Sequence, residues 1–154
     1  MLRPLLFLLL AAIPSITQSS STPLLSIVTH VEIAPTKTSI YVGTVSMTMP
    51  PFTRRNAGFE STYTAKVFPY FFYNESGTLR IEFTDSQLRD LQNGTAVEFK
   101  GRAQRADGAE RRIEGKATPS DATTGKLKVR VFYSKRVELI FNTTYRLSAG
   151  SRRG

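Results

Sequence analysis

Residues that could carry out catalysis are few and scattered in this 154-residue chain. It has a single histidine, His30, and no cysteine, so a Ser–His–Asp triad or a Cys–His pair lacks its parts. His30 falls in a strand-like stretch, on the face opposite the aliphatic residues. One histidine among scattered carboxylates also makes a poor zinc site. We therefore expect no catalytic residue, no metal and no cofactor.

Paired carboxylates are the remaining catalytic chemistry. Glu98 and Glu114 flank a predicted hairpin, and Glu82 and Asp85 lie shortly before it. Glycoside hydrolysis needs two carboxyl groups at a defined separation in space. The spacing of these residues in the sequence does not require any two of them to have that separation. A small carboxylate-dependent hydrolase acting on polysaccharide is therefore the alternative function, and a non-catalytic protein is favoured.

Cations alternate with apolar residues in the second half of the chain. The net charge is +9, and most of the excess of Lys and Arg lies after Gly77. If Phe99, Ile113 and Val129 point inward, strand alternation turns a set of cations outward. These candidate ligand-binding residues are Lys100, Arg102, Arg112, Lys116, Lys126, Lys128 and Arg130. Such a face attracts anions.

The basic face favours a small binding or interaction module of the cell envelope. The expected partner is an anionic polymer, such as an acidic polysaccharide, or an envelope protein. Nucleic acid is disfavoured, because binding to single strands uses stacking aromatics and only Phe132 interrupts the cations on this face. The oligomeric state is left open.

The segment KVFPYFFYNESG, residues 66–77, holds five aromatic residues around Pro69. Ordinary strand alternation precedes it and breaks down at Phe68. Because proline cannot donate to a strand ladder, Pro69 indicates a bulge or an edge. We expect a strand end that changes face, with some rings in the core. Tyr70 and Phe72 are the candidate interface residues, and a sugar-stacking site is an alternative.

The hydrophobic pattern predicts a mainly β protein. Alternation indicates strands over 25–33, 38–49, 59–73, 78–83, 95–105, 110–117, 126–133 and 137–147. Cap-type residues before Leu88 and Leu91, followed by Asn93-Gly94, indicate one short helix over 85–92. The fold class is an antiparallel β-sandwich or a small β-barrel of about seven or eight strands. An OB-like barrel is the alternative.

Two hairpins can be given a register from the residues that would face each other. In the first, a three-residue loop pairs Ala103 with Ile113 and sets Gly101 opposite Gly115. In the second, Val131 pairs with Leu139. This second register also pairs Val129 with Phe141.

The chain begins like an exported protein. Arg3 precedes an uncharged apolar run, and small polar residues follow, as in a secretory signal peptide. We expect a signal peptide over 1–20, a single β-rich domain over 21–147 and a flexible tail over 148–154. The product is then periplasmic or extracellular. Sequons at Asn74, Asn93 and Asn142 also fit turns, so their use as glycosylation sites is left open.

Overall fold

The computed structural model describes residues 28–149. The predicted signal peptide, residues 25–27 of the first predicted strand and residues 150–154 of the predicted tail lie outside this range. The described chain forms ten strand segments and one α-helix. They are β1 Val28–Ile33, β2 Thr36–Ile40, β3 Gly43–Thr48, β4 Phe52–Arg55, β5 Gly58–Phe68, β6 Glu75–Glu82, α1 Asp85–Gln92, β7 Val97–Arg105, β8 Glu110–Pro119, β9 Thr124–Ser134 and β10 Val137–Ala149.

The strands form a closed, eight-stranded antiparallel β-barrel with one short helix. Prolines split two of the eight strands into β1–β2 and β3–β4, because Pro35 and the pair Pro50-Pro51 lack the ladder N–H. From β5 to β10 each strand pairs with the next in the chain, and β1 closes the ring by pairing with both β10 and β4. The small-barrel prediction is confirmed. The ring is a sequential meander of eight strands, which distinguishes it from the sandwich and from the five-stranded OB plan.

Helix α1 covers the end of the barrel at which β6 finishes. Thr84 forms a capping box with Gln87, so two backbone N–H groups at the helix start are satisfied. The predicted leucines, Leu88 and Leu91, are buried, with Leu88 only 1% exposed. Arg54 of β4 forms an ion pair with Asp85 and ties the helix start to the barrel wall.

The predicted register of the second hairpin is confirmed, since Leu139 faces Val131 and Phe141 faces Val129. The register predicted for the first hairpin is wrong by two residues. Gly115 lies opposite Phe99 instead of Gly101. The ring of Phe99 occupies the position that a side chain at residue 115 would take, because a Cβ added at Gly115 would lie 2.1 Å from Cζ of Phe99. The glycine accommodates a large inward ring that two facing glycines would leave unpacked.

The strands predicted over 38–49 and 59–73 are wrong in extent. The segment over 38–49 contains a tight turn at Tyr41 and Val42, so it belongs to a β2–β3 hairpin in which Ile40 pairs with Gly43. The strand predicted over 59–73 ends at Phe68, and residues Phe71–Tyr73 form one turn of 3₁₀ helix. At the other end of the chain, β10 extends through Ala149, two residues into the predicted tail.

Alternate connections of the meander lie at opposite ends of the barrel. The β2–β3, β5–β6, β7–β8 and β9–β10 connections share one end. The hydrogen bond from the N–H of Ala106 to the carbonyl of Ser76, 3.1 Å, joins the β7–β8 connection to the start of β6 at this end. Helix α1 and the β4–β5 and β8–β9 connections occupy the opposite end. No helix within residues 28–149 is long and apolar enough to cross a membrane.

Candidate binding site

The seven predicted cations lie on the outer surface of β7, β8 and β9. All seven side chains are exposed, and they alternate with buried inward residues such as Phe99, Ile113 and Val131. Strand alternation is sufficient to place them on one side of the sheet. The seven cations, Lys100, Arg102, Arg112, Lys116, Lys126, Lys128 and Arg130, are called the basic face below.

Strand pairing sets like charges directly opposite each other on the basic face. Lys116 of β8 faces Lys128 of β9, and Arg102 of β7 faces Arg112 of β8. Directly opposed like charges destabilise a sheet. Lys116 also faces Glu98 on its other side, so the positive excess is greatest towards β9 and β10. There, Lys128 faces Asn142 and Lys126 faces Thr144.

The arginines and the lysines of this face differ in their partners. Three arginines form ion pairs, Arg102 with Glu110 at 3.2 Å, Arg112 with Glu114 at 3.7 Å and Arg130 with Glu138 at 2.8 Å. Within residues 28–149, no lysine lies within 4.0 Å of a carboxylate oxygen in the structure. The charges of Lys100, Lys116, Lys126 and Lys128 are therefore the ones open to an external anion.

A groove runs over part of the basic face, beside the start of α1. It has a volume of about 1100 Å³ and is open to solvent. Lys100, Lys116, Lys128 and Arg130 line it, together with Glu98, Glu114 and Gln87. The cations of the groove project from strands of the barrel. The carboxylates of Glu98 and Glu114 give the groove both positive and negative charges.

Phe132 is the aromatic residue of this face. The guanidinium of Arg112 lies 3.9 Å from its ring centroid, and that of Arg130 lies 5.8 Å away. Both arginines are thus held by cation–π contacts as well as by their acidic partners. The ring is accordingly covered by the protein's own cations.

The barrel interior contains an apolar cavity of about 110 Å³. Its lining includes Phe52, Ala103, Ala117, Leu127 and Phe141. Native interiors contain few voids larger than a water molecule. This one is therefore large for a packed barrel.

A buried polar cluster lies beside this cavity, among residues that sequence analysis had not singled out. Arg111 points inward and forms a two-pronged ion pair with Glu75, at 3.2 Å and 2.8 Å. Its remaining nitrogen donates to the carbonyl of Tyr133 at 2.9 Å. The hydroxyl of Tyr63 donates to Glu75 at 3.0 Å. The inward position of Arg111 follows from alternation with Ile113, whereas its partner is 36 residues away and no local pattern identifies it.

The cluster shifts the pKa values of Tyr63 and Arg111. Burial, reinforced by the nearby charge of Glu75 and the hydrogen bond to it, raises the pKa of Tyr63 far above its usual value. Burial opposes the charge of Arg111, but hydrogen bonding and attraction to Glu75 outweigh it and raise the pKa of Arg111. The polar atoms of Arg111 and Glu75 are thus satisfied by partners within the protein.

The two candidate interface residues occupy different environments. Phe72 is 76% exposed, while Tyr70 is half-buried and packs against the core. Phe68, Phe71 and Tyr73 are also exposed. Sequence analysis did not single these out, because it placed the segment in a strand whose rings would alternate between core and surface.

The candidate carboxylates Glu82, Glu98 and Glu114 line the same groove beside α1, whereas His30 and Asp85 do not line it. His30 Nδ1 lies 2.8 Å from the hydroxyl of Thr29, its immediate neighbour. Glu114 is paired with Arg112, and Asp85 with Arg54. No group of three or more His, Cys, Asp or Glu residues in the described part of the chain is placed to hold a metal ion.

The chain was compared with protein-family models, with curated proteins and with solved structures. None of the three comparisons finds a match.

Proposed function

We propose that this protein is a small, exported, non-catalytic binding module of the cell envelope that contacts an anionic polymer through the basic face. The observation that carries the proposal is the facing pair Lys116 and Lys128, with Lys126 beside them and no ion-pair partner for any of the three among residues 28–149. Opposed cations on a sheet cost stability. An anion bound between the two lysines would attract both of them and offset their mutual repulsion.

The spacing of the lysines suits a ligand with repeated charges. Neighbouring strands lie roughly 4.8 Å apart, and residues two apart on one strand are separated by roughly 6.6 Å. Lys116, Lys126 and Lys128 thus form a small lattice of positive charges. An acidic polysaccharide with one anionic group on each sugar, or a similar polymer, could contact several of these lysines at once.

Salt-dependent retention on immobilised heparin, a sulfated polysaccharide used as the probe, tests this proposal. Replacing Lys116, Lys126 and Lys128 by Ser should shift elution to clearly lower salt, because fewer counterions are displaced on binding. The matched control replaces Lys37, Lys66 and Lys135, three exposed lysines outside the basic face, and removes the same total charge. If both triple variants shift equally, retention follows net charge or cations elsewhere on the barrel, and the proposed face is wrong.

A further inference from the structure

One end of the barrel exposes a cluster of large apolar side chains. They project from the β2–β3 turn, from the last residue of β5 and from the β5–β6 connection, and they are Tyr41, Val42, Phe68, Phe71, Phe72 and Tyr73. These six residues are called the aromatic end below. The two segments abut, since a Cβ built on Gly43 would lie 2.0 Å from the carbonyl oxygen of Phe68. An exposed apolar cluster of this kind marks a site of interaction with a protein or a membrane.

The aromatic end is held in a defined shape. Asn74 accepts a hydrogen bond from the N–H of Val67 at 2.7 Å, which ties the end of the connection back to β5. The 3₁₀ turn is closed by a bond from the N–H of Tyr73 to the carbonyl of Tyr70, 3.0 Å. The rings of Phe72 and Tyr73 lie 4.6 Å apart between centroids. The exposed rings are therefore presented outward by a hydrogen-bonded turn.

The charges around this end are unequally compensated. Each acid on or near its connections forms an ion pair with an arginine: Glu75 with Arg111, Asp107 with Arg105, Glu110 with Arg102 and Glu138 with Arg130. Lys37 and Lys66 on the adjoining strands, and Lys135 and Arg136 in the β9–β10 turn, are exposed. None of these four cations forms an ion pair within residues 28–149. The aromatic end is accordingly bordered by cations that lack partners.

We propose that the aromatic end binds the surface of an anionic lipid bilayer, with its rings in the headgroup region. Rings on projecting turns can enter a fluid interface without a complementary pocket, because amphipathic Tyr is favoured there and Phe buries its apolar ring below the headgroups. The bordering cations meet the negative surface potential of such a membrane. Pairing of two copies through this end would bring like charges together, which disfavours a self-association site. The proposal is independent of the basic face, which lies along the barrel wall.

Co-sedimentation of the purified protein with lipid vesicles tests the proposal. Vesicles of phosphatidylcholine with about 30% phosphatidylglycerol should bind the protein at least about tenfold more tightly than vesicles of phosphatidylcholine alone. The triple variant Tyr41→Ser, Phe71→Ser, Phe72→Ser should lose at least about tenfold of the affinity for the anionic vesicles. These side chains are exposed, so the fold should tolerate the changes, and circular dichroism checks that it does.

Two control variants separate this site from other surfaces. Ile140 is 41% exposed on the barrel wall, so Ile140→Ser should leave vesicle binding unchanged, whereas Phe72→Ser alone should weaken it. The variant with Lys116, Lys126 and Lys128 replaced by Ser should bind vesicles within about twofold of the wild type. The proposal is overturned if the aromatic triple variant binds as well as the wild type, if neutral vesicles bind equally well, or if only the basic-face variant loses binding. It is also overturned if the wild type ignores vesicles and forms a dimer that the aromatic triple variant abolishes.

Discussion

Arg111 is buried and the side chain of its partner Glu75 is only 11% exposed, so the stability of the barrel depends on keeping these two charges together. Each desolvated charge is costly, and the two-pronged geometry with the additional bonds to Tyr63 and Tyr133 offsets that cost. Replacing a buried ion pair by apolar residues changes the free energy of unfolding little, whereas removing one member leaves the other charge buried and unpaired. Removing one member should therefore destabilise the protein much more than removing both.

A double-mutant cycle tests this view of the pair. Glu75→Leu alone should lower the free energy of unfolding by about 3 kcal/mol or more, since it leaves Arg111 buried and unpaired. The double variant Glu75→Leu, Arg111→Met should be less damaged than the sum of the single variants, as measured by urea denaturation. The exposed pair of Arg80 and Glu60, 2.7 Å apart, is the control, and its loss should cost less than about 1 kcal/mol. Additive effects at Glu75 and Arg111 would contradict the interpretation.

Tyr63 should make the barrel sensitive to alkaline pH. Its pKa is raised above the usual 10.0 by burial and by Glu75, so the folded state keeps a proton that the unfolded chain releases. Its contribution to stability is therefore complete below about pH 10 and is lost as the pH rises further. Tyr63→Phe should cost about 1 kcal/mol at neutral pH through the lost hydrogen bond, yet make stability fall less steeply above pH 10. Urea denaturation at a series of alkaline pH values measures this slope, and an unchanged slope would refute the assignment.

At the scale of elements, glycines in β7 and β8 leave room for large side chains on the neighbouring strands. Gly115 receives the ring of Phe99, and Gly101 receives Ile81, whose Cδ1 would lie 2.5 Å from an added Cβ. Facing residues in these strands are thus matched by volume across the ladder. The first hairpin was predicted in the wrong register because its inward alanines and glycines fit several pairings almost equally well. The second contains larger inward residues, and they determine a single pairing.

Gly115→Ala tests this matching of volumes. The new methyl group would overlap the ring of Phe99, which is buried and has little room to move, so stability should fall by about 1–3 kcal/mol. Adding Phe99→Leu should recover part of the loss, giving a favourable coupling between the two sites. Thermal denaturation of the four proteins of the cycle provides the measurement. If Phe99→Leu and Gly115→Ala simply add, the ring is not what excludes the methyl group.

Local patterns in the chain predicted the helix well and the aromatic segment poorly. The capping residues and the two leucines lie within a few positions of each other, so α1 could be recognised at its true bounds. The end of β5 and the turn at Tyr41 depend on how the β2–β3 and β5–β6 connections meet, which no local pattern records. The basic face was predicted in part. Strand alternation places its cations on the outer surface, but it does not identify their ion-pair partners.

At the scale of the whole molecule, the sequence could not decide whether the strands close into a barrel or form a sandwich. Closure requires β1 to pair with β10, more than 110 residues away, as in the pairing of Ile33 with Tyr145. A sandwich of the same strands would show the same alternation of apolar and polar residues. Side chains can just fill the interior of an eight-stranded barrel, and the cavity lies where the inward side chains of this barrel leave space.

The interior cavity should respond to filling by a larger side chain. A void of about 110 Å³ costs roughly 2–3 kcal/mol at about 24 cal/mol per Å³. Ala117 lines it, so Ala117→Leu should raise the free energy of unfolding by about 1 kcal/mol through added apolar burial. Ala65 is equally buried but does not line the cavity, and Ala65→Leu should lower stability by about 1–3 kcal/mol through overpacking. Urea denaturation of both variants decides the matter, because equal destabilisation would mean that the space beside Ala117 cannot accept a side chain.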